Sequence, residues 1–316
     1  MKNFFRLRSL MFISVAFLFV CCNTTHSTSM TDNILKDGTP KLISKQFSFT
    51  EGPATDKDGN VYFTDQPNNE IWKYSVDGKL TLFMKNAGRA NGMFFNEEGN
   101  LIACADENNE LWLIEVQNNT TEGSTNDTAL NGQDRNITHK ILASGYKGKR
   151  FNGPNDVWVS PDEGMYFTDP NYKRDYWKFT DSQIENQSVY YLPKNATEAI
   201  EVISDLKKPN GIIGTPDGKT LFVADIEGNK TWKYSIDNDG KLSNAKLFVE
   251  QGSDGMTLDK NGNLYLTGNG VTIYDPSGKL IRNIPVPEDW TANVTFMGKN
   301  RDQLFITASK GIYILK

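Results

Sequence analysis

Histidine and cysteine are scarce: His26 and His139 are the two histidines, and Cys21, Cys22 and Cys104 the three cysteines, in 316 residues. A zinc site built on nitrogen and sulfur, a disulfide framework and a Ser-His hydrolase pair therefore lack their parts. Cys104 sits in the apolar run LIACAD and reads as a small core side chain. There is no excess of positive charge. The formal net charge is −5, which argues against a nucleic acid or an anionic membrane held on a basic face. No segment keeps a helical apolar period beyond a turn or two. Neither a phosphate loop, a dinucleotide fingerprint nor a Gly-x-Ser-x-Gly elbow occurs.

What the chain does have is aromatic residues, with Gly, Asn and Asp scattered throughout, the composition of a turn-rich all-β protein. Its first residues differ. Lys2, Arg6 and Arg8 precede the apolar run Leu10 to Val20, which is too short for a comfortable bilayer span and fits an export leader over residues 1–22. The cysteines that follow resemble a bacterial lipoprotein signal, although Val20 and Cys21 stand where a small residue is usual. A cleaved signal peptide is the other reading. Both place the mature protein outside the cytoplasm, in the periplasm or anchored to a bacterial membrane by lipid. Residues 23–40 form a polar tail, and 41–316 a single domain.

Six repeats define that domain. They begin EGPATDKDGNVYFTD at Glu51, NGMFFNEEGNLIACAD at Asn91, NDVWVSPDEGMYFTD at Asn155, NGIIGTPDGKTLFVAD at Asn210, DGMTLDKNGNLYLTGN at Asp254 and NVTFMGKNRDQLFITAS at Asn293. Each reads as strand, tight turn, strand. Third strands (IWKYSV, LWLIEV, SVYYLP, TWKYSI, VTIYDP, GIYILK) and less regular fourth strands follow. The sixth repeat has no fourth strand of its own, and Lys41 to Phe47 is placed to supply it and close a ring. The pattern predicts a six-bladed β-propeller; a β-sandwich would not explain six units. Gln117 to Asn136 reads as a surface loop.

Aligned on their first turns, the repeats put Glu51, Asn91, Asn155, Asn210, Asp254 and Asn293 at the mouths of the innermost strands, where a propeller brings them together around its channel. Two carboxylates among amide oxygens suit a hard divalent cation better than zinc, and such a pair is costly to hold close together without one. Asx-type capping would explain any one position; six in one register favour the cation. Asp65, Asp106, Asp169 and Asp225 recur after the second strand and read as braces of the following turn. His139 lies outside the ring.

The strings EGP, PNDV, PNGI and SDGM, in this order and on this repeat, resemble the gluconolactonase, regucalcin and senescence-marker-protein family over nearly the whole mature chain. KRFNGPND and TDPNY are most similar to its bacterial gluconolactonase branch. The resemblance implies a sugar-lactone hydrolase. Its divalent ion would be held by Glu51, Asn155, Asn210 and Asp254, with Ca²⁺ ahead of Mg²⁺, Mn²⁺ or Zn²⁺. It further implies Asp254 as the base for the attacking water; Asn91, with Asn155 and Asn210, reads as a group that would help hold the lactone or its oxyanion. Arg150, Arg89 and Tyr172 are the further substrate candidates. Diisopropyl-fluorophosphatase and paraoxonase propellers share much the same constellation, which keeps other small esters and organophosphates in view. A propeller that only binds a sugar or a protein, with a structural metal, is the reading from a different class.

Overall fold

A computed structural model describes Met1, residues 38–116 and residues 137–316. The rest of the expected leader, most of the tail and the expected loop from Gln117 to Asn136 lie outside the described residues. Six four-stranded antiparallel sheets follow one another around a ring. Their innermost strands are Thr50–Thr55, Ala90–Phe95, Val157–Val159, Pro209–Gly214, Met256–Leu258 and Thr291–Met297, which number the blades 1 to 6. The chain closes as the sequence predicts. Lys41–Ser44 pairs antiparallel with Gly311–Leu315, Lys41 opposite Ile314, and forms the outer strand of blade 6.

The first hairpin of each blade shows why these residues turn where they do. In blade 1 the Asp56 carboxylate accepts the backbone N–H groups of Asp58 and Asn60 at 3.0 and 2.9 Å. Gly59 then takes φ 89°, a conformation that glycine adopts without a Cβ penalty. Asn96 and Asp259 serve the same purpose in blades 2 and 5.

Burial falls from the axis outward. The second strand of blade 1, Val61–Asp65, is buried throughout, because neighbouring blades cover both of its faces. The outer strand of blade 5, Leu280–Ile284, is largely exposed. Apolar side chains gather between adjacent blades: Tyr62, Ile71 and Phe83 of blade 1 meet Met93 and Leu101 of blade 2, and Phe63 of blade 1 meets Phe305 and Ile312 of blade 6. Cys104 is fully buried in the layer between blades 2 and 3, and burial pushes its thiol pKa up. His139 stacks on Trp112, 3.6 Å between ring centroids, on the outer part of blade 2.

Candidate functional site

All six innermost strands start at the same end of the channel. Glu51, Asn91 and Asn210 lie within their strands, and Asn155 and Asp254 stand just before theirs. Glu51, Asn91, Asn155 and Asn210 are buried, Glu51 at 4% exposed and Asn210 at 1%, and Asp254 is half-buried. Asn293 departs from the expected register. Its N–H donates to Thr307 Oγ1 at 3.1 Å, as that of Asp156 does to Thr168 Oγ1 at 3.1 Å and that of Gly255 to Thr267 Oγ1 at 2.8 Å. Asn293 is thus level with Asp156 and Gly255, one residue deeper than the other five, and the ring position in blade 6 belongs to Ala292. The first turn misleads there because blade 6 turns through a differently built loop.

The channel therefore carries two layers. The upper layer is Glu51, Asn91, Asn155, Asn210, Asp254 and Ala292. The lower is Gly52, Gly92, Asp156, Gly211, Gly255 and Asn293. Glycine in the lower layer leaves room for its two large members. A Cβ on Gly92 would lie 2.3 Å from Asp156 Oδ1, and one on Gly255 would lie 1.9 Å from Asn293 Cγ.

Three carboxylates interact by charge across these layers, with Glu51 and Asp156 buried and Asp254 half-buried. Burial, and next the charge of Asp254, hold Glu51 well above the usual carboxylate range. Burial lifts Asp156 to about 8. Burial also lifts Asp254 to about 6, against hydrogen bonds that pull it down. Those bonds come from Trp290 Nε1 to Oδ2 at 2.6 Å and from Asn210 Nδ2 to Oδ1 at 2.8 Å.

Asn210 shows what the layer lacks. Its Nδ2 donates to both Asp254 and the Tyr172 hydroxyl, the latter at 2.6 Å, so the amide nitrogen is saturated. Its Oδ1 is buried and has no hydrogen-bond partner. An orphaned amide oxygen beside clustered carboxylates fits a hard cation, whose charge would relieve both the repulsion and the empty acceptor. Among the described residues no group of three or more His, Cys, Asp or Glu side chains is arranged to hold a metal; the set at this mouth is two carboxylates and two amides.

Two aromatic side chains stand over the upper mouth. Tyr172 reaches it from the connection between Met165–Asp169 and Ser188–Leu192 of blade 3, and Trp290 from the segment leading into blade 6. Arg174 of the same connection lowers the carboxyl pKa of both Glu51 and Asp254 by its charge. Below the lower layer the channel widens into a cavity of about 620 Å³ with walls such as Met93, Val157, Ile212 and Met256, and Asp156 and Asn293 also line it.

The remaining candidates separate. Tyr172 sits against Asn210. Arg89 stands on the rim with φ 48°, its Nη1 donating to the Pro67 carbonyl and its guanidinium over the Tyr176 ring. The structure places Arg150 elsewhere. It lies over Phe179 and donates to the Asp181 carbonyl, contacts with the far part of the blade-3 connection rather than with Glu51, Asn210 or Asp254. The recurring aspartates are braces, chiefly of the chain that leads into their own blade: Asp65 holds the N–H groups of Ser48 and Phe49, Asp169 those of Asn152 and Gly153, and Asp225 those of Lys207 and Lys208. Asp106 is the exception.

Sequence reasoning passed over Asp156, Arg174 and Trp290. A signal for Asp156 was present, since it stands where four other repeats have glycine after the ring residue.

The family profile described as the SMP-30/gluconolactonase/LRE-like region matches residues 49–310. A gluconolactonase of Zymomonas mobilis is 30% identical over 300 residues, covering 89% of this chain and 82% of its own. Among solved structures, a gluconolactonase of Xanthomonas campestris superposes with a TM-score of 0.76 at 25% identity, over 89% of each chain. A putative gluconolactonase also gives 0.76, at 26% identity, over 89% of this chain and 92% of that one. With its family profile spanning five of the six blades in full and two of the four strands of the sixth, this chain belongs to the SMP-30/gluconolactonase/LRE-like family.

Proposed function

We propose that the chain hydrolyses a sugar lactone at the upper layer of its channel. A divalent cation, Ca²⁺ foremost, would be held there by Glu51, Asn155, Asn210 and Asp254. The observation that carries this reading is the buried, unpartnered Asn210 Oδ1 among carboxylates. The gluconolactonase relatives support the substrate class, and gluconolactone is the first substrate to test.

When bound, the cation supplies Lewis acidity toward an ester carbonyl. The residues of the chain do the rest. Asp254 accepts the proton of the attacking water. Asn91 and Asn155 offer amide hydrogen bonds to the lactone, and Tyr172 and Trp290 shield it from bulk water. No Ser-His nucleophile is required, in keeping with a site that has no histidine.

The test is gluconolactone hydrolysis by protein stripped of metal and refilled with Ca²⁺, Mg²⁺, Mn²⁺ or Zn²⁺. Turnover above the spontaneous rate, lost on stripping and restored by a hard ion, is expected. Stoichiometric metal without turnover on any lactone would overturn the substrate class and leave a binding propeller. We further propose export, with Cys21 or Cys22 carrying lipid; mass spectrometry of the mature N-terminus decides between an acylated cysteine and plain cleavage.

A further inference from the structure

The connection from Pro170 to Gln187 in blade 3 is long. The same link occupies only 66–69 in blade 1, 106–109 in blade 2 and 226–229 in blade 4. A long surface segment without strands needs fixing before it can present side chains to a site. The fixing point is Asp106, at the end of Leu101–Ala105 in blade 2 and 3% exposed.

By sequence Asp106 matches Asp65, Asp169 and Asp225, each of which holds two successive backbone N–H groups leading into its own blade. Asp106 makes none of those bonds. Its Oδ2 accepts from Arg174 Nε at 3.0 Å, from the Tyr176 hydroxyl and from Gln66 Nε2 at 3.1 Å. Its backbone carbonyl accepts from Trp177 Nε1 at 2.6 Å. Another residue has taken over the vacated brace in blade 2, where Asn69 Oδ1 accepts the Arg89 N–H at 2.7 Å. One residue has thus been freed from bracing its own blade and ties down three residues of the next, Arg174 and Tyr176 through its carboxylate and Trp177 through its backbone carbonyl.

What it ties down leads to the site. The Arg174 guanidinium lies over the Tyr172 ring, 4.8 Å from its centroid. The Tyr172 hydroxyl meets Asn210, which meets Asp254. We infer that Asp106 is a positioning residue for substrate. It holds Arg174 and Tyr176 so that Tyr172 and the Arg174 charge stay fixed over the upper layer, where the polyhydroxyl face of a lactone would be gripped. This inference rests on the lactonase reading for its substrate, but not for the tie itself.

Two readouts separate those parts. Lys173 and Lys178 are exposed in the connection, so a lysine-specific protease reports its anchoring without any substrate. Asp106→Ala and Arg174→Gln should each speed cleavage there roughly tenfold or more, because local opening governs cleavage. Asp225→Asn, which loosens an ordinary brace, should not. In metal-loaded protein, Asp106→Ala should raise KM for gluconolactone roughly 10- to 100-fold, the scale of a small misplacement of binding groups. Asp106→Ala combined with Arg174→Gln should add little to either alone. Asp106→Asn, which keeps the shape without the charge, should show the same direction at smaller size if the alanine variant folds poorly. Unchanged cleavage in Asp106→Ala and Asp106→Asn would overturn the tie. Faster cleavage with unchanged KM would overturn the positioning role. A wild type inert on every lactone removes the substrate reading, while the cleavage comparison still decides the tie.

Discussion

The two layers of the channel lie one residue apart along each strand, yet they are built on opposite principles. The upper layer collects oxygen: Glu51, Asp254 and three amides, with both carboxyl groups pushed up by burial and Glu51 further by the charge of Asp254. The lower layer collects empty space: four glycines, with Asp156 and Asn293 filling what the glycines leave. A period of two along a strand would send neighbours to opposite faces. Here the bulges between Glu51 and Ala54, Ala90 and Met93, and Pro209 and Ile212 break that period at the mouth, so successive residues can both serve the channel. Chemistry occupies one level and clearance the next.

The contrast can be broken most severely from above. Asp254→Ala should lower kcat for a lactone by ~10³-fold, the middle of the range for loss of a positioned base, with the thermal transition retained. Steady-state kinetics on metal-loaded protein checks it, and turnover near wild type would remove Asp254 as the base. From below, the expected injury is to folding. Gly52→Ala places a Cβ 1.9 Å from the Asn91 carbonyl oxygen at φ 38°, and urea titration should show a loss of about 2–5 kcal/mol. Metal should distinguish the layers directly. A hundredfold excess of Ca²⁺ over its Kd stabilises by about 2.7 kcal/mol, read as a rise in calorimetric Tm. Asn210→Ala should abolish that rise and Asn293→Ala should keep it. The smallest effect sharpens the account of glycine: Gly99→Ala, at φ 82° on a hairpin tip with nothing within 4 Å, should cost about 1 kcal/mol. Its difference from Gly52→Ala isolates crowding from backbone strain.

How much of this could be read beforehand follows from where the information sits. The propeller was legible because most blades repeat the same turn chemistry, Asp56 with Gly59 and Asp259 with Gly262, between similar apolar strands. The ring positions Glu51, Asn91, Asn155, Asn210 and Asp254 were legible for the same reason, whereas the choice of Glu51, Asn155, Asn210 and Asp254 as a cation set came from the family resemblance. Asn293 was misplaced by one residue because its turn, with Arg301 at φ 52°, is not built like the others. Aligning Val294 with Val157 would have corrected it. Asp106 was illegible in kind. By sequence it is one brace among four, and only the tertiary course of a neighbouring blade's long connection gives its carboxylate other partners. Trp290 and Arg174 reach the site from segments outside the repeat, where periodicity carries no information.

The joint between Lys41–Ser44 and Gly311–Leu315 has a consequence in time. Blade 6 needs strands from both extremes of the domain, so the earliest strand to be synthesised waits unpaired until nearly every other residue has been made. Blades 1 to 5 can form in order as the chain lengthens, but ring closure depends on the pairing of greatest sequence separation, the kind that slows folding most. Once made, the same joint must be undone before the ring can open from that seam, so the step that delays maturation also delays decay.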